Sequence, residues 1–292
     1  MNISIIIPAK NEEQGLSLLL KDLTSTFTDL EIIVVNDGST DSTQQVCIDM
    51  GVSVVTHPYS KGNGAAIKSG ARAASGNIFL FMDGDGQHRV EDVKMLINEY
   101  QNNDYDMIVG ARGTKSQASI ARWFGNGLYN KVATYMTGHE IDDLTSGLRI
   151  VDAQKFKQFL YLLPNGFSYP TTCTMAFFKA GYSVKYMPII APKRIGKSHL
   201  NIIKDGGRFF LIIFKIGTLY SPLKLFFPTS ILFFILGIAY YIYTYMSDGR
   251  FTNMGVLLFT TSVLIFLLGL ISEQITSLMY QSSYSSDKKK SE

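Results

Sequence analysis

The sequence contains few charged residues and little cysteine. Charged residues make up 17% of the 292 residues, below the roughly 25% that is usual for soluble domains. Apolar residues make up 46%, so part of the chain is expected to lie outside water. Lys and Arg outnumber Asp and Glu by 27 − 24 = 3. This small, dispersed excess argues against nucleic-acid binding, because proteins that bind nucleic acids usually have clustered basic residues.

The sequence also shows no CxxC pair, no signal-peptide pattern at residues 1–13 and no match to the two common phosphate-loop motifs. Cys47 and Cys173 lie far apart with no CxxC pair, which argues against a zinc or redox site and fits a reducing cytosolic setting. The first apolar run, 3–7, has no basic segment or cleavage site, so we expect no signal peptide. The segment 61–67 satisfies neither GxGxxG nor GxxxxGK[ST], and therefore resembles a phosphate loop only superficially.

Long apolar runs are concentrated near the C-terminal end. The stretches 225–246 and 251–272 contain no charged residue, and each reaches the length of about 20 residues that spans a membrane. Two buried core helices are the alternative, which is disfavoured because neither stretch has a polar face. The short turn 247–250 predicts a hairpin. Basic residues in the N-terminal portion and at 288–290 predict that both termini are cytoplasmic, at the inner membrane.

The segment 201–223 mixes basic residues with a run of large apolar ones. This pattern is typical of helices that lie in the membrane interface, and its charge favours anionic lipid. The predicted organisation is a globular domain over 1–200, an interfacial segment over 201–223, a membrane hairpin over 224–280 and a polar cytoplasmic tail over 281–292.

The first 200 residues alternate short apolar runs with helical patterns. Strands are predicted at 3–7, 31–35, 52–56, 77–82 and 106–109, and helices near 12–26, 40–50, 63–74 and 90–101. This order predicts an α/β fold with a mostly parallel sheet and helices on both faces. Ligands of such sheets bind at the carboxyl ends of the strands.

Polar residues follow the first two predicted strands. Strand one ends in the segment 8–13, PAKNEE, and strand two in 36–41, NDGSTD. An acid at the position of Asp37 is suited to hydrogen bonding a nucleoside. A plain turn followed by a helix cap is the alternative, and the two interpretations are evenly matched for this segment alone.

The fourth predicted strand runs directly into Asp83-Gly84-Asp85-Gly86-Gln87-His88. Alternate carboxylates with glycines between them can place oxygens around one hard cation and leave positions open for water and substrate phosphates. An Asp/Gly-rich turn is the alternative. A calcium-binding EF-hand loop is excluded, because His88 and Lys94 stand where it needs Gly and Glu. The sequence therefore predicts a cation site at this strand end.

These segments, together with KGNGAAIKSG at 61–70, resemble the family 2 glycosyltransferases of GT-A fold. Three later motifs, at 110–112, 142–149 and 194–198, are similar to the polyprenyl-phosphate branch of that family, which includes dolichol-phosphate mannose synthases and undecaprenyl-phosphate sugar transferases. The resemblance implies transfer of a sugar from a UDP- or GDP-sugar to a polyprenyl phosphate, with inversion at the anomeric carbon.

The resemblance also implies roles for individual residues. Those implied for the nucleotide sugar are Pro8, Ala9, Glu12, Asp37, Asp83, Gly84, Asp85, Gln87 and Arg112. Those implied for a Mg²⁺ or Mn²⁺ ion are Asp83, Asp85 and Gln87. Those implied for the acceptor phosphate are Arg122, Asn126, Arg149, Arg194 and Ser198. Asp83, Asp85, Arg112 and Arg194 are the expected catalytic residues.

The chemistry of such a transfer is consistent with this set of residues. A phosphate monoester is mostly ionised at pH 7, because its second pKa is about 6, so no strong general base is needed. A processive polysaccharide synthase is an alternative, but Gln117 and Arg122-Trp123 do not have QxxRW spacing and there is one hairpin. A non-catalytic nucleotide-sugar-binding scaffold is another, disfavoured by Asp83 and Asp85. The sugar, the nucleotide and the oligomeric state, a homo-oligomer included, stay open.

Overall fold

The chain forms two compact units, Met1–Asn201 and Ile202–Glu292. The computed structural model describes residues 1–113, 120–166, 169–190, 214–215 and 217–288. The first unit contains the sheet and the second contains two long helices.

A seven-stranded sheet is the core of the first unit. Its strands are β1 (Ile3–Ala9), β2 (Glu31–Asn36), β3 (Ser53–Thr56), β4 (Ile78–Phe81), β5 (Met107–Arg112), β6 (Arg149–Asp152) and β7 (Val184–Ile189). Their order is β3-β2-β1-β4-β6-β5-β7. Neighbouring strands are parallel, except that β6 runs antiparallel to both β4 and β5. The predicted α/β fold with a mostly parallel sheet is confirmed.

Helices cover both faces of this sheet. They are α1 (Glu13–Thr26), α2 (Thr43–Asp49), α3 (Asn63–Ala73), α4 (Val90–Asn102), α5 (Ile120–Thr137), α6 (Ala153–Gln158) and α7 (Tyr169–Lys179). Side chains alternate between the faces of a strand. Ile5 and Ile7 of β1 accordingly pack in one cluster with Leu16 of α1, whereas Ile6 faces Gly70 of α3.

Strand β6 inserts between β4 and β5 and carries a charged residue into the sheet. Arg149, its first residue, pairs with Phe81 of β4 and with Val109 of β5. Phe81 lies two residues before Asp83. The antiparallel insertion therefore brings the 142–149 motif beside the strand end on which the carboxylates were predicted.

From Pro222 to Lys288 the second unit forms a helical hairpin of α8 (Pro222–Asp248) and α9 (Asn253–Lys288). The connection begins at Gly249, whose φ of 65° lies in the left-handed region that glycine tolerates, and its N–H donates to the Tyr245 carbonyl at 3.0 Å. By length and composition both helices can cross a membrane, over Pro222–Ser247 and Asn253–Met279. Apolar side chains such as Leu232 and Leu264 are each 55% exposed, which does not suit helices buried in a soluble core.

Candidate active site

The turn after β4 presents two carboxylates in different surroundings. Asp85 is 9% exposed, and its Oδ1 accepts a hydrogen bond of 3.1 Å from the backbone N–H of Gln87. The Asp83 side chain is 36% exposed, and its Oδ2 lies 3.7 Å from Nε2 of His88. Asp83 therefore offers carboxylate surface to a ligand, while Asp85 is nearly enclosed.

The surroundings of Asp83 favour its ionised form. Burial raises the pKa of this carboxyl, but the interaction with His88 and the positive charges of Arg112 and Arg149 lower it by more. The net pKa lies below its usual value, so Asp83 carries a negative charge at neutral pH. A charged carboxylate is the form that attracts a cation or a developing positive charge.

Arg112, at the end of β5, is held by Asp143, which lies in the 142–149 motif but was not among the predicted site residues. Its Nε donates to Asp143 Oδ2 at 2.7 Å and its Nη2 to Asp143 Oδ1 at 3.0 Å, in the two-pronged geometry of a strong ion pair. Nη2 also donates to the Thr145 hydroxyl at 2.7 Å. Burial raises the pKa of Asp143, and its bonds to Arg112 lower it to a net value below normal. The ion pair fixes the guanidinium at the sheet edge.

Asp37, at the end of β2, is bonded to the protein on both carboxylate oxygens. The donors are Nδ1 of His57 (2.7 Å), the Ser60 hydroxyl (2.7 Å), and the backbone N–H groups of Lys61 (2.8 Å) and Gly62 (2.9 Å). Asp37 is only 4% exposed. Burial raises its pKa and these hydrogen bonds lower it by more, giving a net decrease. The carboxylate therefore holds the loop between β3 and α3, and its predicted contact with a nucleoside stays a prediction.

The KGNG segment begins α3, and its first N–H groups are already bonded within the protein. Gly64 N–H donates to the Gly166 carbonyl at 3.1 Å and Ala65 N–H to the Asn165 carbonyl at 3.0 Å. A helix N-terminus binds phosphate through such free N–H groups. The N–H groups of Gly64 and Ala65 are therefore already used in holding residues 165 and 166.

Arg149 lies inside the protein with 0% exposure. Its guanidinium donates to the carbonyls of Pro170 (2.9 Å) and Ser146 (2.5 Å) and to the Thr174 hydroxyl (3.2 Å). These contacts join β6 to the start of α7. The burial does not support the predicted contact between Arg149 and the acceptor phosphate, and its charge acts instead on the pKa of Asp83.

The remaining predicted residues fall into two groups. Pro8 and Ala9 end β1 beside the other strand ends, where the Ala9 carbonyl accepts from Asp37 N–H at 2.9 Å and Gly84 packs against Pro8. Glu12 follows, and its backbone N–H donates to the Thr43 hydroxyl at 3.1 Å. The side chains of Arg122 and Asn126 in α5, the residues Arg194 and Ser198, and most of the predicted interfacial segment lie outside the described residues.

The residues at the β4 turn fit a cation that takes further ligands from a substrate. Within the described ranges, no three His, Cys, Asp or Glu side chains form a group that could hold a metal. Asp83 and Asp85 nevertheless supply hard carboxylate oxygens, and the Gln87 amide follows in the same turn. Mg²⁺ is commonly bound by one or two carboxylates together with water and substrate phosphates. The donor chemistry therefore suits an open site completed by phosphate.

The mostly parallel sheet and its flanking helices form a GT-A-like fold, with the turn of Asp83 and Asp85 at the carboxyl edge. The chain belongs to glycosyl transferase family 2, whose sequence profile matches residues 4–160. Residues 221–278 match a second profile, the GtrB C-terminal hairpin. The prediction of family and of enzyme class is confirmed.

Known proteins similar to this chain agree with that assignment. The CsbB protein of Bacillus subtilis is 28% identical over 297 residues, covering 96% of this chain and 88% of its own length. The undecaprenyl-phosphate 4-deoxy-4-formamido-L-arabinose transferase of Pseudomonas fluorescens is 31% identical over 189 residues, covering 58% of this chain and 55% of that protein. Glucosyl-3-phosphoglycerate synthase from Mycobacterium tuberculosis, solved with Mn²⁺ and UDP-glucose, has the same fold, with a TM-score of 0.60, 19% identity and coverage of 74% and 78%.

Proposed function

We propose that the chain transfers one sugar from a nucleoside diphosphate sugar to a polyprenyl phosphate at the membrane surface. The observation that carries the proposal is the joining, in one chain, of a glycosyltransferase unit with the Asp83–Gln87 turn and a hairpin of the GtrB type. A polyprenyl phosphate stays in the membrane, so an enzyme that uses it benefits from an anchor. The name of the Pseudomonas fluorescens relative supports this acceptor class.

In the proposed reaction a phosphate oxygen of the acceptor forms a bond to the anomeric carbon of the sugar. The bond between that carbon and the donor diphosphate breaks, and the nucleoside diphosphate leaves with the electron pair. Because the attacking phosphate is already ionised, no proton has to be removed. The chain's task is to align two anionic substrates and to offset their charge.

We assign the donor sugar to Asp83 and the donor phosphates to Arg112, which Asp143 holds in one orientation. A Mg²⁺ or Mn²⁺ ion at Asp83, Asp85 and Gln87 would neutralise charge on the leaving diphosphate. The Mn²⁺ in the Mycobacterium tuberculosis enzyme supports such a cation. Pro8, Ala9, Glu12 and Gly84 are assigned to the rest of the donor.

The proposed contacts of the acceptor phosphate are Arg122, Asn126, Arg194 and Ser198. The two arginines are the main contacts, because a guanidinium can bind a phosphate with two hydrogen bonds. Arg149, being buried, is assigned an indirect role through its charge. In this proposal the acceptor phosphate is bound at the cytoplasmic face of the membrane, where nucleotide sugars are supplied. Both chain termini lie on the same face.

Nucleotide release by the purified full-length chain tests the proposal. The chain in detergent is mixed with polyprenyl phosphate and each of a panel of UDP- and GDP-sugars. We expect release of UDP or GDP from one donor, only when polyprenyl phosphate is present. Release from no donor, or release that does not depend on the lipid phosphate, would contradict the proposal.

A further inference from the structure

Gly147 lies directly against the carboxylate of Asp83. A β-carbon placed on Gly147 would lie 2.7 Å from Asp83 Cγ and 3.0 Å from Oδ1, and closer still to Oδ2. Non-bonded carbon atoms rest at about 3.5–4.0 Å. Any side chain at position 147 therefore needs either the Asp83 side chain or its own backbone to move.

The backbone around Gly147 is the part that is fixed. The Ser146 carbonyl accepts from Arg149 Nη2 at 2.5 Å, and the Leu148 carbonyl accepts from Gly110 N–H at 2.9 Å. Gly147 and its two neighbours are buried, and β6 begins two residues later between two paired strands. A shift of this backbone would disturb both of these hydrogen bonds and the pairing of β6 with its neighbouring strands.

The Asp83 side chain is the part that can yield. It is 36% exposed, and the His88 ring nitrogen nearest to it is 3.7 Å away, longer than a direct hydrogen bond. A rotation about its Cα–Cβ bond moves the carboxylate to another staggered position at small cost. A methyl group at position 147 would thus redirect Asp83 and leave the fold in place.

We propose that Gly147 is a positioning residue for glycosyl transfer, because the missing side chain allows the Asp83 carboxylate to face the sugar of the donor. This inference rests on the proposed contact between Asp83 and the donor sugar. Gly147 itself touches no substrate and acts through Asp83. Gly15, in contrast, packs against the backbone of residues 84 and 85 and not against the Asp83 carboxylate.

The variant Gly147→Ala tests the inference, with Gly127→Ala in α5 as the matched control. A β-carbon on Gly127 meets no atom within 4 Å, and alanine is favoured inside a helix. We expect Gly147→Ala to lower kcat on the order of 10-fold to 100-fold, as small misplacements in an active site do. The affinity for UDP or GDP alone and the melting temperature should stay close to those of Gly127→Ala.

A double-mutant cycle with Asp83→Ala separates positioning from general damage. Because Asp83→Ala removes the displaced carboxylate, adding Gly147→Ala should change neither kcat nor the melting temperature further. If Gly147→Ala leaves kcat unchanged while Asp83→Ala lowers it, the role of Gly147 is overturned and the proposed function stands. An equal further loss in the Asp83→Ala background also overturns it. If Asp83→Ala keeps full activity, the proposed donor contact fails, and the inference about Gly147 fails with it.

Discussion

The carboxylates at the sheet edge differ in how far their side chains are exposed. The side chains of Asp37 and Asp143 are 5% and 10% exposed and bind protein donors, whereas the Asp83 side chain is 36% exposed. A charge removed from water is costly unless it is paired and hydrogen-bonded. Asp37 and Asp143 therefore organise the loops around the site, and Asp83 is left to meet a ligand.

The contribution of the Asp37 carboxylate to the free energy of unfolding should disappear at low pH. Its pKa is lowered in the folded chain, so the unfolded chain takes up the proton first as the pH falls. The stabilisation is thus complete above the unfolded pKa of about 3.9 and is lost as the pH falls through the lower folded pKa. We expect Asp37→Asn to lower the free energy of unfolding by about 2 kcal/mol at neutral pH, since bonds to charged groups contribute about 1.5–3 kcal/mol.

The measurement is thermal unfolding of both chains across a pH series. The difference in Tm should be constant down to about pH 5 and shrink below about pH 4. Asp22→Asn, on the exposed face of α1, is the control and should match the wild type throughout. A difference for Asp37→Asn that grows as the pH falls would contradict this role.

Sugar transfer should require a divalent cation, and Asp85 should be needed to hold it. Removing metal with EDTA is expected to abolish sugar transfer, and Mg²⁺ or Mn²⁺ to restore it. Asp85→Asn removes the charge and keeps the shape, so kcat should fall on the order of 10²-fold, as when one preorganised contact to the transition state is lost. Initial rates at several Mg²⁺ concentrations check this, again with Asp22→Asn as control. Full activity in EDTA after metal stripping would rule the assignment out.

Some of the site residues could be predicted from the sequence and others could not. The Asp83–Gln87 turn was visible because it follows an uninterrupted apolar strand, and its position at the sheet edge follows from local order alone. The pairing of Arg112 with Asp143 and the contact of Gly147 with Asp83 join positions 31 and 64 residues apart. Such contacts depend on how β6 enters the sheet, which no local pattern specifies.

At the level of elements, the first five strands were predictable and the last two were not. Continuous apolar runs and alternating helices predicted β1 to β5 to within a few residues. Strand β6 has four residues and begins with a buried arginine, so it lacks the apolar signature. Strand β7 has half-exposed residues along most of its length. Tertiary pairing, rather than local preference, forms both strands.

Two serines, one in each helix of the hairpin, exchange hydrogen bonds across the contact between α8 and α9. Ser230 Oγ donates to the Ser262 carbonyl and Ser262 Oγ to the Ser230 carbonyl, each at 2.9 Å, and both residues are buried. Interhelical hydrogen bonds in membranes contribute about 0.6 kcal/mol on average and up to about 1.7. We expect Ser230→Ala and Ser262→Ala each to destabilise α8 against α9 by about 1 kcal/mol or less.

Unfolding of the purified chain in increasing SDS, followed by circular dichroism, measures this effect. Thr229→Ala is the control, because the Thr229 hydroxyl donates within its own helix, to the Leu225 carbonyl at 3.0 Å. The double serine variant should unfold at clearly lower SDS than the control. Identical curves for the two would show that the serine pair does not stabilise the hairpin.

For the molecule as a whole, polar and aromatic residues near the two ends of α8 are spaced as membrane interfaces require. Lys224 stands near the start of α8, and the exposed Tyr243 and Tyr245 lie near its end. Tyrosines are enriched at membrane interfaces. Tyr243 follows Lys224 by 243 − 224 = 19 positions, which extend about 29 Å at about 1.5 Å per residue, close to the hydrocarbon thickness of about 30 Å.

This spacing predicts that the turn at Gly249 lies on one side of the membrane and both chain ends on the other. Tags placed before residue 1 and after residue 292 should both be cytoplasmic, because basic residues flank the hairpin on that side. Protease protection in sealed vesicles of known orientation reports each tag separately. Cleavage of the C-terminal tag from the non-cytoplasmic side would contradict the two-span arrangement.

The lipid product tests the central proposal most directly. The purified chain is supplied with polyprenyl phosphate, Mg²⁺ and the donor that it uses, and the extracted lipid is analysed by mass spectrometry. We expect polyprenyl phosphate heavier by a single sugar residue, formed far more slowly when Asp85→Asn replaces the wild-type chain and absent when EDTA is added. A ladder of several sugars, or free sugar with unmodified lipid, would contradict it.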